Sequence, residues 1–253
     1  MKLLRIRMAA GFITGILGLI PLLCAAQEEF RPRTPAEERF WKKADAIIRQ
    51  AVPHETTIGW DMAGGTEDDS GFQPVVSRKP DTGPYSYDFE ITYVRKENLV
   101  AAELDALAKK VNDTPGKANE LLLEMEKVRA AAVCRIKVQF NLNYSAVTFC
   151  AGKPSFPAYP GATAMVRVPA ELKDGAGCEA ATMLLFGKFS RPRTDMNDER
   201  SGTVSGEGQL TGGGPFTLHN ISITVTAVPE AADYFIRTMN LASLTAYIGK
   251  SLQ

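Results

Sequence analysis

Between Tyr85 and Arg95 the chain alternates strictly. Tyr85, Tyr87, Phe89, Ile91 and Tyr93 fall on one side of an extended strand, with Ser86, Asp88, Glu90 and Thr92 on the other. Period-two alternation marks a strand with one buried face, and aromatic and β-branched side chains suit a pleated surface. A face carrying four rings is costly to leave in water. The flanking sequence offers covers with helical period. Thr34-Pro35-Ala36-Glu37 reads as a capping box with proline at the first helical position. Phe40, Trp41, Ala44, Ile47, Ile48 and Ala51 then recur at helical spacing, predicting a helix over 35–51 that ends before Pro53. A short strand is expected over Thr56–Met62 and an exposed loop over Gly64–Pro84.

Beyond the central strand, Asn98 can cap a second helix with an apolar seam at Val100, Leu104, Leu107 and Val111. Thr114-Pro115 restarts a third helix along Ala118, Leu121, Leu122, Met125, Val128 and Ala132. The short link predicts an antiparallel helical hairpin. Core packing is the favoured reading of both seams, and an exposed coiled coil for a partner is its rival.

Alternation returns at Cys134, Ile136, Val138 and Phe140, and again at Tyr144, Ala146, Thr148 and Cys150. A three-residue turn at 141–143 would fold these into a hairpin with Cys134 opposite Cys150, close enough to bridge. That pairing is the expected disulfide, and Cys150 with Cys178 is its rival. Pro154, Pro157 and Pro160 make a rigid connector or a polyproline II segment. Strands follow over Thr163–Val168 and Thr182–Phe189, then a polar, glycine-rich stretch over 190–215 that is expected as a long mobile loop or a loose hairpin. Phe216 and Leu218 begin a strand that resets at a bulge near His219-Asn220 and continues through Ala227. A helix from Pro229 to Met239 and a last one from Asn240 to Ile248 close the chain.

The expected fold is α+β: a mostly antiparallel sheet with the N-terminal helix, the helical hairpin and the C-terminal helix packed on one face. Residues 27–253 are expected to form one domain, with 27–34 as a mobile leader and 190–215 as a glycine-rich loop. The other face is polar and also carries Thr224 and Thr226; Asp88, Glu90, Arg135, Lys137 and Gln139 are its candidate partner-binding residues.

The N-terminus changes the compartment. Lys2, Arg5 and Arg7 precede an apolar run, Met8–Leu23, broken by Gly11, Gly15, Gly18 and Pro21. Cys24-Ala25-Ala26 supplies small residues for a signal peptidase, so cleavage is expected between Ala26 and Gln27. A retained span would need ~20 apolar residues, so no integral membrane protein is expected after processing. A lipid anchor at Cys24 is the weaker rival, because Leu23 stands where a small residue is wanted. The product is periplasmic or secreted, from a bacterial envelope.

Cleavage removes three of the 29 basic residues and none of the 29 acidic ones. The mature chain is slightly acidic and lacks the basic surplus that holds nucleic acid, so no nucleic-acid partner is expected. It carries three cysteines and no Cys-x-x-Cys. A disulfide therefore fits, and a zinc knuckle does not.

Signatures of catalysis are missing. His54 and His219 are the chain's two histidines, and no Gly-x-Ser-x-Gly surrounds a serine. His54-Glu55 starts like a zinc-protease motif but has Ile58 at the second ligand position. Glu67–Asp69 and Asp195–Glu199 are oxygen-rich, but Arg200 stands where a calcium loop needs glycine. The glycines from Gly206 to Gly214 lack the Lys-Ser/Thr of a phosphate loop. No metal, cofactor or catalytic residue is expected. The favoured function is a non-catalytic binding or adaptor protein whose partner is an unknown protein or surface ligand. The alternatives are a carrier of an apolar ligand between sheet and helices, and a hydrolase using His54 or His219.

Overall fold

The structure is a computed structural model that describes residues 31–53, 59–66, 78–150, 152–173 and 176–253. Helix α1 (Pro35–Ala51) starts at the predicted capping box: Thr34 Oγ1 accepts from the Glu37 backbone N–H, and the Glu37 carboxylate accepts from that of Thr34. Strands β1 (Trp60–Thr66) and β2 (Tyr87–Arg95) follow. Then come helix α2 (Glu97–Asp113), a 3-10 turn (Pro115–Lys117) and helix α3 (Ala118–Ala130). The expected strand over Thr56–Met62 begins at Trp60 within the described residues. Lys96, not Asn98, caps α2.

Strands β3 (Val133–Phe140), β4 (Tyr144–Phe149), β5 (Ala164–Val168), β6 (Glu171–Lys173), β7 (Ala176–Cys178) and β8 (Ala181–Gly187) come next. After them run β9 (Arg193–Met196), β10 (Gly202–Glu207), β11 (Asn220–Thr226), α4 (Pro229–Thr238) and α5 (Leu241–Thr245). The class is α+β, with antiparallel sheets. Six strands lie in the order β1-β2-β3-β11-β8-β5, three in the order β4-β10-β9, and β6 pairs with β7.

One face of the large sheet carries the main core. Tyr87, Phe89, Ile91 and Tyr93 of β2 join Cys134, Ile136, Val138 and Phe140 of β3 and Ile221, Ile223 and Val225 of β11. Phe40, Ile47 and Ile48 of α1, Phe235 of α4 and Leu244 of α5 cover them. The fit is ring against ring: Tyr93 lies 4.5 Å from Phe235 and Tyr87 6.2 Å from Trp41, between centroids. Among the described residues, the opposite face is covered along β11, β8 and β5. There Val147, Phe149 and Val204 of the small sheet pack on Val166, Met183 and Leu185. Ser145 and Ser222 meet across the layers at 2.6 Å. On the other half of that face, the side chains of β2 and β3 are half-exposed.

Three expectations about pairing and packing need correction: the β3–β4 hairpin, the Cys134–Cys150 disulfide and the packing of the helical hairpin on the sheet. Strand β4 does not fold back on β3; it leaves the large sheet and pairs with β10. The turn is diverted at Asn141, whose φ is 54°. Its side chain donates to the carbonyls of Tyr85 and Thr217 and accepts from the His219 N–H. Cys134 is therefore never opposite Cys150. The disulfide joins Cys150 to Cys178, with Cα atoms 5.5 Å apart, and Cys134 is a buried thiol.

Of the two forms expected for the glycine-rich stretch over 190–215, loop or hairpin, the described residues show the hairpin, with β9 and β10 paired as an antiparallel ladder. Its glycines allow close approach: a Cβ at Gly208 would lie 1.8 Å from the Leu142 carbonyl oxygen. Within the leader over 27–34, Arg31 is fixed to Glu37 by a two-pronged ion pair. The helical hairpin forms, yet neither α2 nor α3 buries a residue, and α2 packs on α3 instead of on the sheet.

Candidate functional site

The polar strip over β2 and β3 follows from register. Asp88 stands opposite Gln139, Glu90 opposite Lys137 and Thr92 opposite Arg135, while Thr224 and Thr226 of β11 lie beside Lys137 and Arg135. The five candidate partner-binding residues are thus brought onto one contiguous, half-exposed patch. Gln139 Nε2 donates to Asp88 Oδ2 at 2.9 Å, Lys137 Nζ lies 3.6 Å from the same oxygen, and Arg135 pairs with Glu179. Exposed pairs of this kind contribute only about 0–1 kcal/mol each, so they can exchange partners at little cost.

The strip runs toward the root of the hairpin. Arg95, the last residue of β2, grips Glu103 of α2 with Nη1 and Nη2 at 3.1 and 2.7 Å. That bond to Arg95 holds the Glu103 carboxyl below its ordinary pKa. The Arg95 N–H donates to the Ala132 carbonyl at 2.8 Å, closing the neck. Beyond the neck, Val100, Leu104 and Leu107 of α2 and Leu121, Met125 and Val128 of α3 are only half-buried. Two helices cover each other's apolar seam from one side alone. Leu99, Leu122 and Leu123 are 40, 52 and 41% exposed. Sequence reasoning placed Leu122 in a core seam and missed this exposure, because a seam that meets one helix reads the same as one that meets a sheet.

A cavity of about 400 Å³ opens where hairpin and sheet meet. Ala131, Val133, Ala227 and Val228 give it apolar walls, and Cys178 brings the disulfide to it. Lys127, Glu179 and Glu230 are its charged lining residues. Its wall residues come from four separate parts of the chain, so no local sequence signal marked it. The cavity meets the polar patch at Glu179, the partner of Arg135, and at Thr226.

The catalytic alternatives find less. His219 is 4% exposed, and burial, followed by the Lys188 charge, holds its pKa below the ordinary histidine value. It borders a cavity of about 310 Å³ between residues 81–84 and 210–215. Asp81 and Thr82, the acid and the hydroxyl in that wall, are engaged in the turn: Asp81 Oδ1 accepts from Thr34 Oγ1 at 2.7 Å, and Thr82 Oγ1 donates to the Lys79 carbonyl at 2.6 Å. Asp198 is occupied too, accepting from the Arg200 and Ser201 N–H groups and the Ser201 hydroxyl, each at 2.7 Å. Those bonds hold its carboxyl below the ordinary range.

Among the described residues no three His, Cys, Asp or Glu side chains gather as a metal site, and no helix is long and apolar enough to cross a membrane. None of the cavities described is walled by Tyr87, Phe89 or Tyr93, the rings an apolar ligand between sheet and helices would touch. His54, Glu67–Asp69, Cys24 and the Ala26–Gln27 junction lie outside the described residues. The chain matches no family model, no curated protein and no solved structure.

Proposed function

We propose that this is a non-catalytic binding protein of the exported, envelope or secreted class, and that it docks a partner protein at the hairpin end of its sheet. The observation that carries the reading is that α2 and α3, 17 and 13 residues long, contribute nothing to the core. Helices in water draw most of their stability from packing of an apolar face. A hairpin whose seam is covered on one side is completed by a further helix in the groove, as in a helical bundle. The partner is therefore a protein presenting an amphipathic helix to Leu99, Leu122 and Leu123, with an apolar anchor residue for the cavity beside Val133 and Val228. The strip from Asp88 to Arg135 supplies the polar rim.

The test is a pull-down on wild type and on the double variant Leu122→Asp/Leu123→Asp. Both substituted positions are exposed, so the melting temperature should hold within a few degrees. A stoichiometric partner should be captured by the wild type and lost from the variant. A partner retained by the variant would place docking elsewhere. Mass spectrometry of the exported chain reads the compartment: an N-terminus at Gln27 supports a cleaved signal, and a lipid on Cys24 supports an anchor.

A further inference from the structure

At the end of the sheet far from the hairpin, β5 and β9, the outer strands of their sheets, border a cavity of about 530 Å³. Phe156, Tyr159, Ala162, Met165 and Thr194 line it, and Arg191 is its one charged lining residue. Phe156 is 52% exposed. No acidic side chain among the described residues pairs with Arg191.

Among the described residues, strand β5 has β8 on one side and no strand on the other. On that outer edge the chain already sets one residue in strand geometry. Ser155 and Arg167 exchange both backbone hydrogen bonds, each at 2.9 Å. Backbone groups two residues apart on a strand point the same way, so Met165 turns its N–H and C=O to this same edge. Continuing the antiparallel register from Ser155 and Arg167 would set Pro157 opposite Met165. Proline has no N–H to give, and Pro160 lies just beyond. The chain's own pairing stops there, and the cavity begins where it stops.

We propose that this edge is a second binding site, which accepts an extended peptide segment of a partner protein as an added strand on β5. The segment bonds to the Met165 backbone, seats an apolar side chain between Phe156 and Tyr159, and sets an aspartate or glutamate against Arg191. Main-chain bonds supply affinity in this mode, and the alternate side chains supply selectivity. A charge-assisted carboxylate–guanidinium pair fixes the register. The inference does not rest on the hairpin, which lies at the other end of the strands.

A phage-displayed library of random heptapeptides, panned on the folded protein, is the probe. Enrichment of sequences that alternate apolar residues and carry an acidic one is expected. Selected peptides should bind Arg191→Glu and Phe156→Ala at least tenfold more weakly. N-methylation along a selected peptide should abolish binding at every second position only, the signature of strand pairing. The Leu122→Asp/Leu123→Asp variant should bind these peptides as wild type does, so that the two sites can fail separately. The proposal is overturned if no sequence is enriched over the Phe156→Ala bait, if Arg191→Glu leaves affinity unchanged, or if N-methylation shows no alternation.

Discussion

Glu37 is a carboxylate with no exposed surface. It is kept ionised by donors on every side: Arg31 Nη1 and Nη2 at 2.8 and 2.6 Å, the Thr34 N–H at 2.8 Å, and the Tyr85 hydroxyl. The Arg31 bond is the largest of these influences, and together they outweigh burial and hold the carboxyl down to about 2. A carboxyl whose folded pKa lies below its unfolded value of ~4.3 stabilises the fold above that pH, and the contribution is lost as the pH falls through the folded value. His219 acts earlier. Its folded pKa is lowered by burial and by Lys188, so the unfolded chain takes the proton more readily. Stability from that residue is lost as the pH falls through ~6.5. Denaturant melts across pH should therefore show two losses, one setting in near 6.5 and one between about 4.5 and 2. Glu37→Gln should remove most of the second loss, leaving the share of the exposed Glu103 and Asp198 carboxyls, and lower stability at pH 7 by about 3 kcal/mol, because it strands the buried donors. A variant that keeps the wild-type acid profile below 4.5 would show that another carboxylate carries it.

At the scale of elements, helix α1 and strand β2 were legible because their signals are local. The capping box is spelled out in four residues, and Tyr87, Phe89, Ile91 and Tyr93 alternate whatever covers them. What decides the fate of β4 is not local. Asn141 binds Tyr85 and Thr217, 56 and 76 residues away, and a reading of residues 134–150 alone sees only a tidy hairpin. The same limit governs the candidate site. Asp88, Glu90, Arg135, Lys137 and Gln139 could be assigned to one face by parity, but whether a second sheet covers that face depends on where β4 and β10 go. The seams of α2 and α3 have core spacing without core burial, because a hydrophobic stripe records that something is covered and not by what. This separation of hairpin from core makes a direct prediction. Arg95 and Ala132 are already hydrogen-bonded across the neck, so residues 97–130 can be replaced by a short glycine-containing turn. The shortened chain should unfold within about 1 kcal/mol of wild type, since no side chain of α2 or α3 is buried. A loss of several kcal/mol would mean that the hairpin supports the body after all, and the docking role would lose its basis.

The whole molecule is two layers of sheet with unequal cover. The large sheet has a helical core on one face. The small sheet reaches it through few buried side chains, chiefly Val147, Phe149 and Val204. Cys150 directly follows β4 of the small sheet, and Cys178 closes β7 just before β8 of the large one, so the disulfide staples layer to layer. The bond spans 28 residues. In the chain-entropy picture, closing a loop of that length stabilises the fold by about 3.5 kcal/mol, through restriction of the unfolded chain. The variant Cys150→Ser/Cys178→Ser should therefore unfold at lower denaturant by a comparable free energy. Hydrogen exchange should quicken first in β4, β9 and β10, which lose their tether, while β2, β3 and α1 keep their order. Thiol counting checks the connectivity in the same experiment. Burial pushes the Cys134 thiol up to about 12, so a folded chain prepared to begin at Gln27 should react with no thiol reagent. Unfolding without reductant should release one thiol, and with reductant three. If the double variant melts with the wild type and exchange rises evenly across both sheets, the layers hold each other by packing alone. In that case the cavity beside Cys178 owes nothing to the staple.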